Sequence, residues 1–301
     1  MTYTVAALYK FVSLPDHKNL QPWLKAMGDM LNISGTLLLA NEGINGTIAG
    51  RSHDIDAILT YMRADPRLSD LDVKFSDSAD QPFLRFKVRL KREIVTIGRS
   101  DVDPTCRVGT YVQPENWNDV ITDPNTVLID TRNDYEVAVG TFRGAINPNT
   151  ESFRDFPQWV ADNRPQLEGR RIAMFCTGGI RCEKASSYML GEGFPEVMHL
   201  KGGILKYLET QSPKDSLWDG DCFVFDQRVA VGHGLSETDW SQCFACRMPL
   251  SPDDLQNPSY RKGVSCPHCA DADTDKSRFE ERQKQIDLAQ TRDMVHLGRQ
   301  T

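Results

Sequence analysis

The 301-residue sequence predicts a multidomain protein of α+β and α/β type. An N-terminal ferredoxin-like βαββαβ domain is followed by a central α/β domain with a parallel sheet and by a C-terminal cysteine-rich, zinc-ribbon-like region. Three observations predict it. The first hundred residues alternate strand-like and helix-like patterns in the βαββαβ order. The middle of the chain carries short, continuously apolar runs beside a helical pattern, as expected of strands covered on both faces. Near the C-terminus stand two Cys-x2-Cys pairs.

In order along the chain, "YTVAALYKF" reads as a strand and "NLQPWLKAMGDMLN" as an amphipathic helix. "GTLLLANEGINGTIAG" reads as two strands around a turn at Asn45-Gly46. A second helix, "HDIDAILTYMRADPRL", and a last strand, "FLRFKVRLKREIV", complete a domain over residues 1–100. In that last strand Arg85, Lys87, Arg89 and Lys91 alternate with Leu84, Phe86, Val88 and Leu90, and Arg92 adds a further cation. Period 2 puts the cations on one face. The face is either an ordinary solvated one or a stripe that contacts phosphates, and the charge distribution bears on the choice. Residues 1–100 hold 13 Lys+Arg against 11 Asp+Glu, whereas the whole chain carries −7, so any nucleic-acid platform is expected in this part.

Residues 101–110 contain Pro104 and Gly109 without a periodic pattern and read as a linker. The central domain, residues 111–212, starts at "YVQPENW", with "TVLIDTR" and "RRIAMF" as buried strands and "EKASSYMLGEGF" as a helix. Residues 213–301 open with a strand pair in "DSLWDGDCFVFDQRVAV" and end in a charged segment that reads as an exposed helix. No run approaches the roughly 18 apolar residues that a membrane-spanning helix needs, and no basic-then-apolar leader opens the chain, so a cytoplasmic, membrane-free protein is expected. Eight clustered cysteines in a reducing compartment point to metal or catalysis rather than to a disulfide scaffold.

The run Cys176-Thr177-Gly178-Gly179-Ile180-Arg181-Cys182 joins an apolar strand to a helix. Backbone amides of Thr177, Gly178, Gly179 and Ile180 and the positive end of the helix would surround whatever sits at its centre. Such a ring favours a thiolate, and Arg181 adds a full charge, so Cys176 is the candidate nucleophile. Tyrosine phosphatases use Cys-x5-Arg. The Cys-x4-Arg interval here makes a smaller ring, suited to a single sulfur carried as a persulfide rather than to a phosphate ester. Two readings fit Cys182: a thiol that resolves an oxidised or persulfidated Cys176 by exchange, or a small residue packed under the loop.

Cys243-x2-Cys246 and Cys266-x2-Cys269, separated by nineteen residues, have the spacing of four thiolates around one tetrahedral zinc ion. A closed four-sulfur site of that kind is structural, since it leaves no position for a substrate.

"VLIDTRNDYEVAVGTFRGAIN", the Cys176 loop and "VMHLKGGILKY" together resemble the rhodanese family over residues 111–212. With "LLLANEGINGTIAG", "RLKREIVT", "YVQPENWN" and "WDGDCFVFDQRV", nearly the entire chain resembles the rhodanese-like tRNA uridine hydroxylases, whose N-terminal domain is acylphosphatase-like. The resemblance implies hydroxylation of the wobble uridine, nucleotide 34, to 5-hydroxyuridine. It implies an essential Cys176, the tRNA anticodon loop as partner, and molecular oxygen with a still unidentified reductant as co-substrates. The sequence contains no motif for flavin, haem or NAD, nor a His-x-Asp/Glu pair for non-haem iron. Two other functions follow from the same residues: a sulfurtransferase that carries a persulfide on Cys176, and a tRNA- or protein-binding adaptor.

Overall fold

The computed structural model describes residues 2–270 and Lys284; the charged terminal segment expected to form a helix lies outside the described residues, apart from Lys284. The N-terminal domain runs β1 (Tyr3–Phe11), α1 (His17–Met30), β2 (Ser34–Ala40), β3 (Gly43–Gly50), α2 (Ser52–Arg63), β4 (Asp72–Ser78) and β5 (Phe86–Leu90). The sheet order is β4-β1-β3-β2-β5. Helix α2 forms because Ile55, Ile58, Leu59 and Met62 fall on one face at helical spacing, with Asp54 near its positive end and Arg63 in its last turn. That face packs with α1 and with Leu37, Leu39, Ile44, Ile48, Phe86 and Val88 into one core.

Three local expectations are corrected. The hairpin turns at Asn41-Glu42, where Ala40 faces Gly43, and Asn45-Gly46 lies inside β3 opposite Leu38 and Leu37. Glycine is needed at 46 for close strand approach rather than for a turn, since a Cβ there would come within 2.1 Å of the Thr36 carbonyl oxygen. The last strand of the βαββαβ unit is β4, and the basic strand is a fifth one, parallel to β2 at the sheet edge. It is also shorter than its alternating pattern, ending at Leu90. Beyond it the chain folds over so that the Glu93 carboxylate accepts from the amides of Ile97 and Gly98, at 3.1 and 3.2 Å, and Ile97 enters the core of the next domain. Residues 101–110 form no helix or strand before Thr110, yet Val102 is buried in that same second core.

The central domain follows as β6 (Thr110–Val112), α3 (Pro114–Thr122), β7 (Thr126–Asp130), α4 (Asp134–Val137), β8 (Gly140–Phe142), α5 (Phe156–Asp162), α6 (Arg164–Leu167), β9 (Arg171–Phe175), α7 (Ile180–Gly191), β10 (Val197–Leu200) and α8 (Gly203–Thr210). Strands β6-β10-β9-β7 form a parallel sheet. Successive residues of β9 feed opposite layers: Ile172 and Met174 pack with α7, and Ala173 and Phe175 with α8. Continuously apolar strands are the consequence. Helix α7 starts three residues earlier than its apolar pattern indicates, at Ile180, directly after the glycine pair. The rest of the described chain is built from β11 (Trp218–Gly220), β12 (Cys222–Phe223), β13 (Ala230–Val231), β14 (Ser241–Gln242), β15 (Pro249–Leu250) and α9 (Pro252–Gln256). Strand β11 pairs with β8, so this region is stitched onto the central domain.

Candidate active site

Cys176 leaves the end of β9 at the carboxyl edge of the parallel sheet, and α7 begins four residues later. Gly179 makes the tight entry possible: its φ is +103°, and a Cβ would approach the Tyr9 hydroxyl to 2.9 Å. Its amide donates to Cys176 Sγ at 3.1 Å. From the other side α8 braces the loop, with the amides of Ile204 and Leu205 donating to the carbonyls of Cys176 and Thr177 at 3.0 and 3.1 Å. Gly203 (φ +67°) permits that approach, because a Cβ would lie 2.5 Å from the Cys176 carbonyl oxygen. Gly178 has open space around it and borders a cavity, as do Thr177 and Ile180.

Cys176 is completely buried. Burial alone would push its thiol up, but the hydrogen bond with the Cys182 thiol, the Arg181 charge and the amides of Cys182 and Gly179 outweigh it and bring the group down to about 5. Burial and the adjoining Cys176 push Cys182 the other way, well above the ordinary thiol range. Cys182 also lies 3.5 Å from Thr131 Oγ1. The opposite shifts favour the anion on Cys176 and the proton on Cys182. Arg181 does not stand alone in the ring: it forms a bidentate pair with Glu136, Nη1 to Oε2 at 2.6 Å and Nη2 to Oε1 at 2.7 Å. The Glu136 side chain is fully buried and that of Arg181 is 8% exposed. Asp130 and Arg132 form a second buried bidentate pair at 2.9 and 2.6 Å, which ties the end of β7 to the carbonyls of Glu136 and Gly140.

The loop opens on a cavity of about 620 Å³ between the two domains and the segment after β12. The N-terminal sheet supplies one wall, including Ala7 and Tyr9 of β1, Thr36 and Leu38 of β2, Asn45 and Thr47 of β3, and Lys74 and Ser76 of β4. Lys87 pairs with Thr36 and Arg89 with Leu38, so these two cations share the sheet face that lines the cavity. Lys91 lines it directly. Arg85, Arg89, Lys91 and Arg92 are exposed and Lys87 is half-buried. Burial lowers the Lys87 amine, and the neighbouring charges of Arg85 and Arg89 lower it further, as a close set of cations requires.

A model of the "UPF0176 acylphosphatase like domain" matches residues 3–94, and one of the "Rhodanese-like domain" matches residues 113–210. The chain is 55% identical over 298 residues to a protein named tRNA uridine(34) hydroxylase from Rhizobium leguminosarum bv. trifolii, with 98% of this chain and 96% of the relative covered. It is 54% identical over 301 residues to a protein of the same name from Brucella anthropi, with 99% of each chain covered. The chain belongs to the tRNA uridine(34) hydroxylase family.

In this member of the tRNA uridine(34) hydroxylase family, Cys243, Cys246, Cys266 and Cys269 converge, all four sulfurs lying within 4.8 Å of one another. Three of the separations are 3.6, 3.7 and 3.9 Å. Four sulfurs at the usual zinc–thiolate distance around a tetrahedral centre are about 3.8 Å apart, so the cluster could hold such an ion. Strands β14 and β15 flank the first Cys-x2-Cys knuckle. Among the described residues no helix is long and apolar enough to cross a membrane.

Several residues at or behind the cavity carry no functional expectation from the sequence. Glu136, buried behind the loop against Arg181, has a legible local signal in Asn133-x-x-Glu136, a capping box at the start of α4. Tyr9, Lys74 and Arg228 had none, because they come from strands and loops distant in sequence from Cys176.

Proposed function

We propose that the protein is a tRNA uridine(34) hydroxylase that converts the wobble uridine to 5-hydroxyuridine, with Cys176 as its nucleophile. The observation that carries this reading is the 55% identity to a relative of that name, which runs through both domains and the cysteine-rich region. The geometry supports the roles. A thiol brought down to about 5 favours its anion at neutral pH, and it lies beside a cavity lined by Lys91, with Lys87 and Arg89 on the sheet face that forms one wall, cations suited to the phosphates of an anticodon loop. Anticodon nucleotides are already single-stranded, so presenting one base to the loop requires little unpairing.

On this reading the Cys176 thiolate adds to C6 of the uracil and the electron pair moves to C5. Molecular oxygen accepts that pair and forms a C5–O bond. Two electrons from an external reductant and three protons then cleave the O–O bond, leaving a C5 hydroxyl and one water. Loss of the C5 proton expels the thiolate, so two protons are consumed overall. Arg181 and the Gly179 amide stabilise the sulfur whenever it is anionic, and Cys182 holds a proton beside it. The four C-terminal cysteines bind one structural zinc ion away from this chemistry.

Nucleosides from a deletion strain, separated by mass spectrometry, test the proposal. We expect 5-hydroxyuridine at position 34 to disappear, to return with the parental chain, and to stay absent with Cys176→Ser. Loss of a thiolated nucleoside instead, together with thiosulfate:cyanide activity, would make the protein a sulfurtransferase. Unchanged nucleosides with retained tRNA binding would make it an adaptor.

A further inference from the structure

Phe225 lies between β12 and β13, and its side chain is among the more exposed large apolar ones in the described chain, at 57%. A single exposed aromatic is ordinary on a protein surface. Its location is not: Phe225 lines the same cavity as Cys176, Arg181 and Lys91, and the Arg181 guanidinium lies 5.9 Å from its ring centroid. Phe223 meets the ring edge-on, with centroids 5.2 Å apart at 89°.

The loop that carries Phe225 is held firmly. Val224 donates its amide to the Val229 carbonyl at 2.9 Å. Asp226 and Arg228 form a buried bidentate pair at 2.8 and 2.6 Å. Arg228 reaches on to Ser76 Oγ at 2.7 Å and the Asp77 carbonyl at 3.3 Å, and the Gln227 amide donates to the Pro82 carbonyl at 3.2 Å. Three groups of the N-terminal domain's β4 and following loop therefore fix a hairpin of the third region, with an aromatic ring left facing the cavity. Neither the fold nor the ion pairs use the exposed part of that ring.

We propose that Phe225 is the stacking residue for the target base, its ring holding an unstacked pyrimidine of single-stranded RNA at the cavity mouth beside the Cys176 loop. The inference rests on the hydroxylase reading. Cations on one sheet face suit the backbone, the thiolate suits the electrophilic carbon of a pyrimidine, and an aromatic face suits the base plane. Tyr9, Phe75, Phe83 and Phe153 also line the cavity, but Phe225 is more exposed than Phe75, at 57% against 44%, and it is the ring that lies against Arg181 of the Cys176 loop.

The test compares the affinity of the full chain for an anticodon stem-loop RNA carrying uridine at position 34 with its affinity for the same RNA abasic at that position. Fluorescence anisotropy reads both. The parental protein should prefer the uridine RNA by roughly 5- to 140-fold, the range of one base–aromatic stack. Phe225→Ala and Phe225→Leu should lose that preference while binding the abasic RNA as the parental chain does, and Phe225→Tyr should retain it. The inference is overturned by a preference that survives Phe225→Ala, by full retention in Phe225→Leu, by a parental chain that shows no preference, or by one that binds a protein partner and no RNA. Because affinity is read without turnover, these outcomes are independent of whether the deletion strain lacks 5-hydroxyuridine, which decides the hydroxylase reading.

Discussion

The Tyr9 hydroxyl, on the first strand of the N-terminal sheet, donates to Glu183 Oε1 at 2.8 Å across the domain boundary. Tyr111 donates to the same oxygen at 2.8 Å. The next residue of α7, Lys184, is 1% exposed and pairs with Glu42 at 2.9 Å and Glu93 at 2.5 Å. Two consecutive residues of the helix that begins at the Cys176 loop are thus gripped by the N-terminal domain and the chain leaving it. The wall opposite the cysteine is fixed relative to it, and the cavity depends on that registration.

Tyr9→Phe should lower stability by about 1 kcal/mol and Lys184→Met by about 3 kcal/mol, because the second leaves two carboxylates facing a buried site without their cation. Urea denaturation measures both. Tyr9→Phe and Tyr111→Phe share an acceptor, so their effects should be non-additive in a double-mutant cycle. Full additivity would mean that the two hydroxyls act independently.

Folding brings the Cys176 thiol from its ordinary value of 9.0 down to about 5, so the folded state binds fewer protons between those values. Its contribution to stability is therefore fully present above pH 9, shrinks as the pH falls, and is gone below about pH 5. The stability gap between the parental chain and Cys176→Ser should therefore widen as the pH rises from about 5 to about 9. Arg181→Met should move the thiolate absorbance transition to higher pH. A gap that stays constant with pH would mean that Cys176 remains a neutral thiol.

Charge reversal at Lys87 and Arg89 should weaken binding of tRNA and flatten its salt dependence, by about 0.7 in the log–log slope for each single-strand phosphate that is no longer neutralised. Titrations at several salt concentrations measure this. If affinity and slope are both unchanged, the stripe is an ordinary solvated face.

The purified chain should contain about one zinc per molecule, and Cys246→Ser or a chelator should remove it and lower the melting temperature. Elemental analysis and thermal unfolding measure the two effects. A metal-free parental chain of unchanged stability would remove the ion from the reading.

Much of the protein was legible along the chain because the information is local. The strand–glycine–helix run at Cys176, the two Cys-x2-Cys knuckles and the apolar periods of α2, β7 and β9 depend on neighbours within a few residues. The alternation around Lys87 was likewise legible, since period 2 places side chains on a face whatever that face meets. The Asn45-Gly46 turn failed because its signal competes with strand pairing. Close packing against Thr36 selects the same glycine that a turn would.

Tertiary structure alone decided which faces meet. The alternation of cations does not say that Lys87 and Arg89 share a face with the cavity beside Cys176; the parallel pairing of β5 with β2 does. Nor does the sequence say that Arg181 is matched by Glu136, 45 residues away, or that Tyr9 is held by Glu183, 174 residues away. Such pairings arise when two independently patterned domains close on each other, and their distance along the chain leaves no periodicity to read. The chemistry of the thiol was written in one loop. The wall of the cavity it serves came from another domain, and only the packing of the two brought them together.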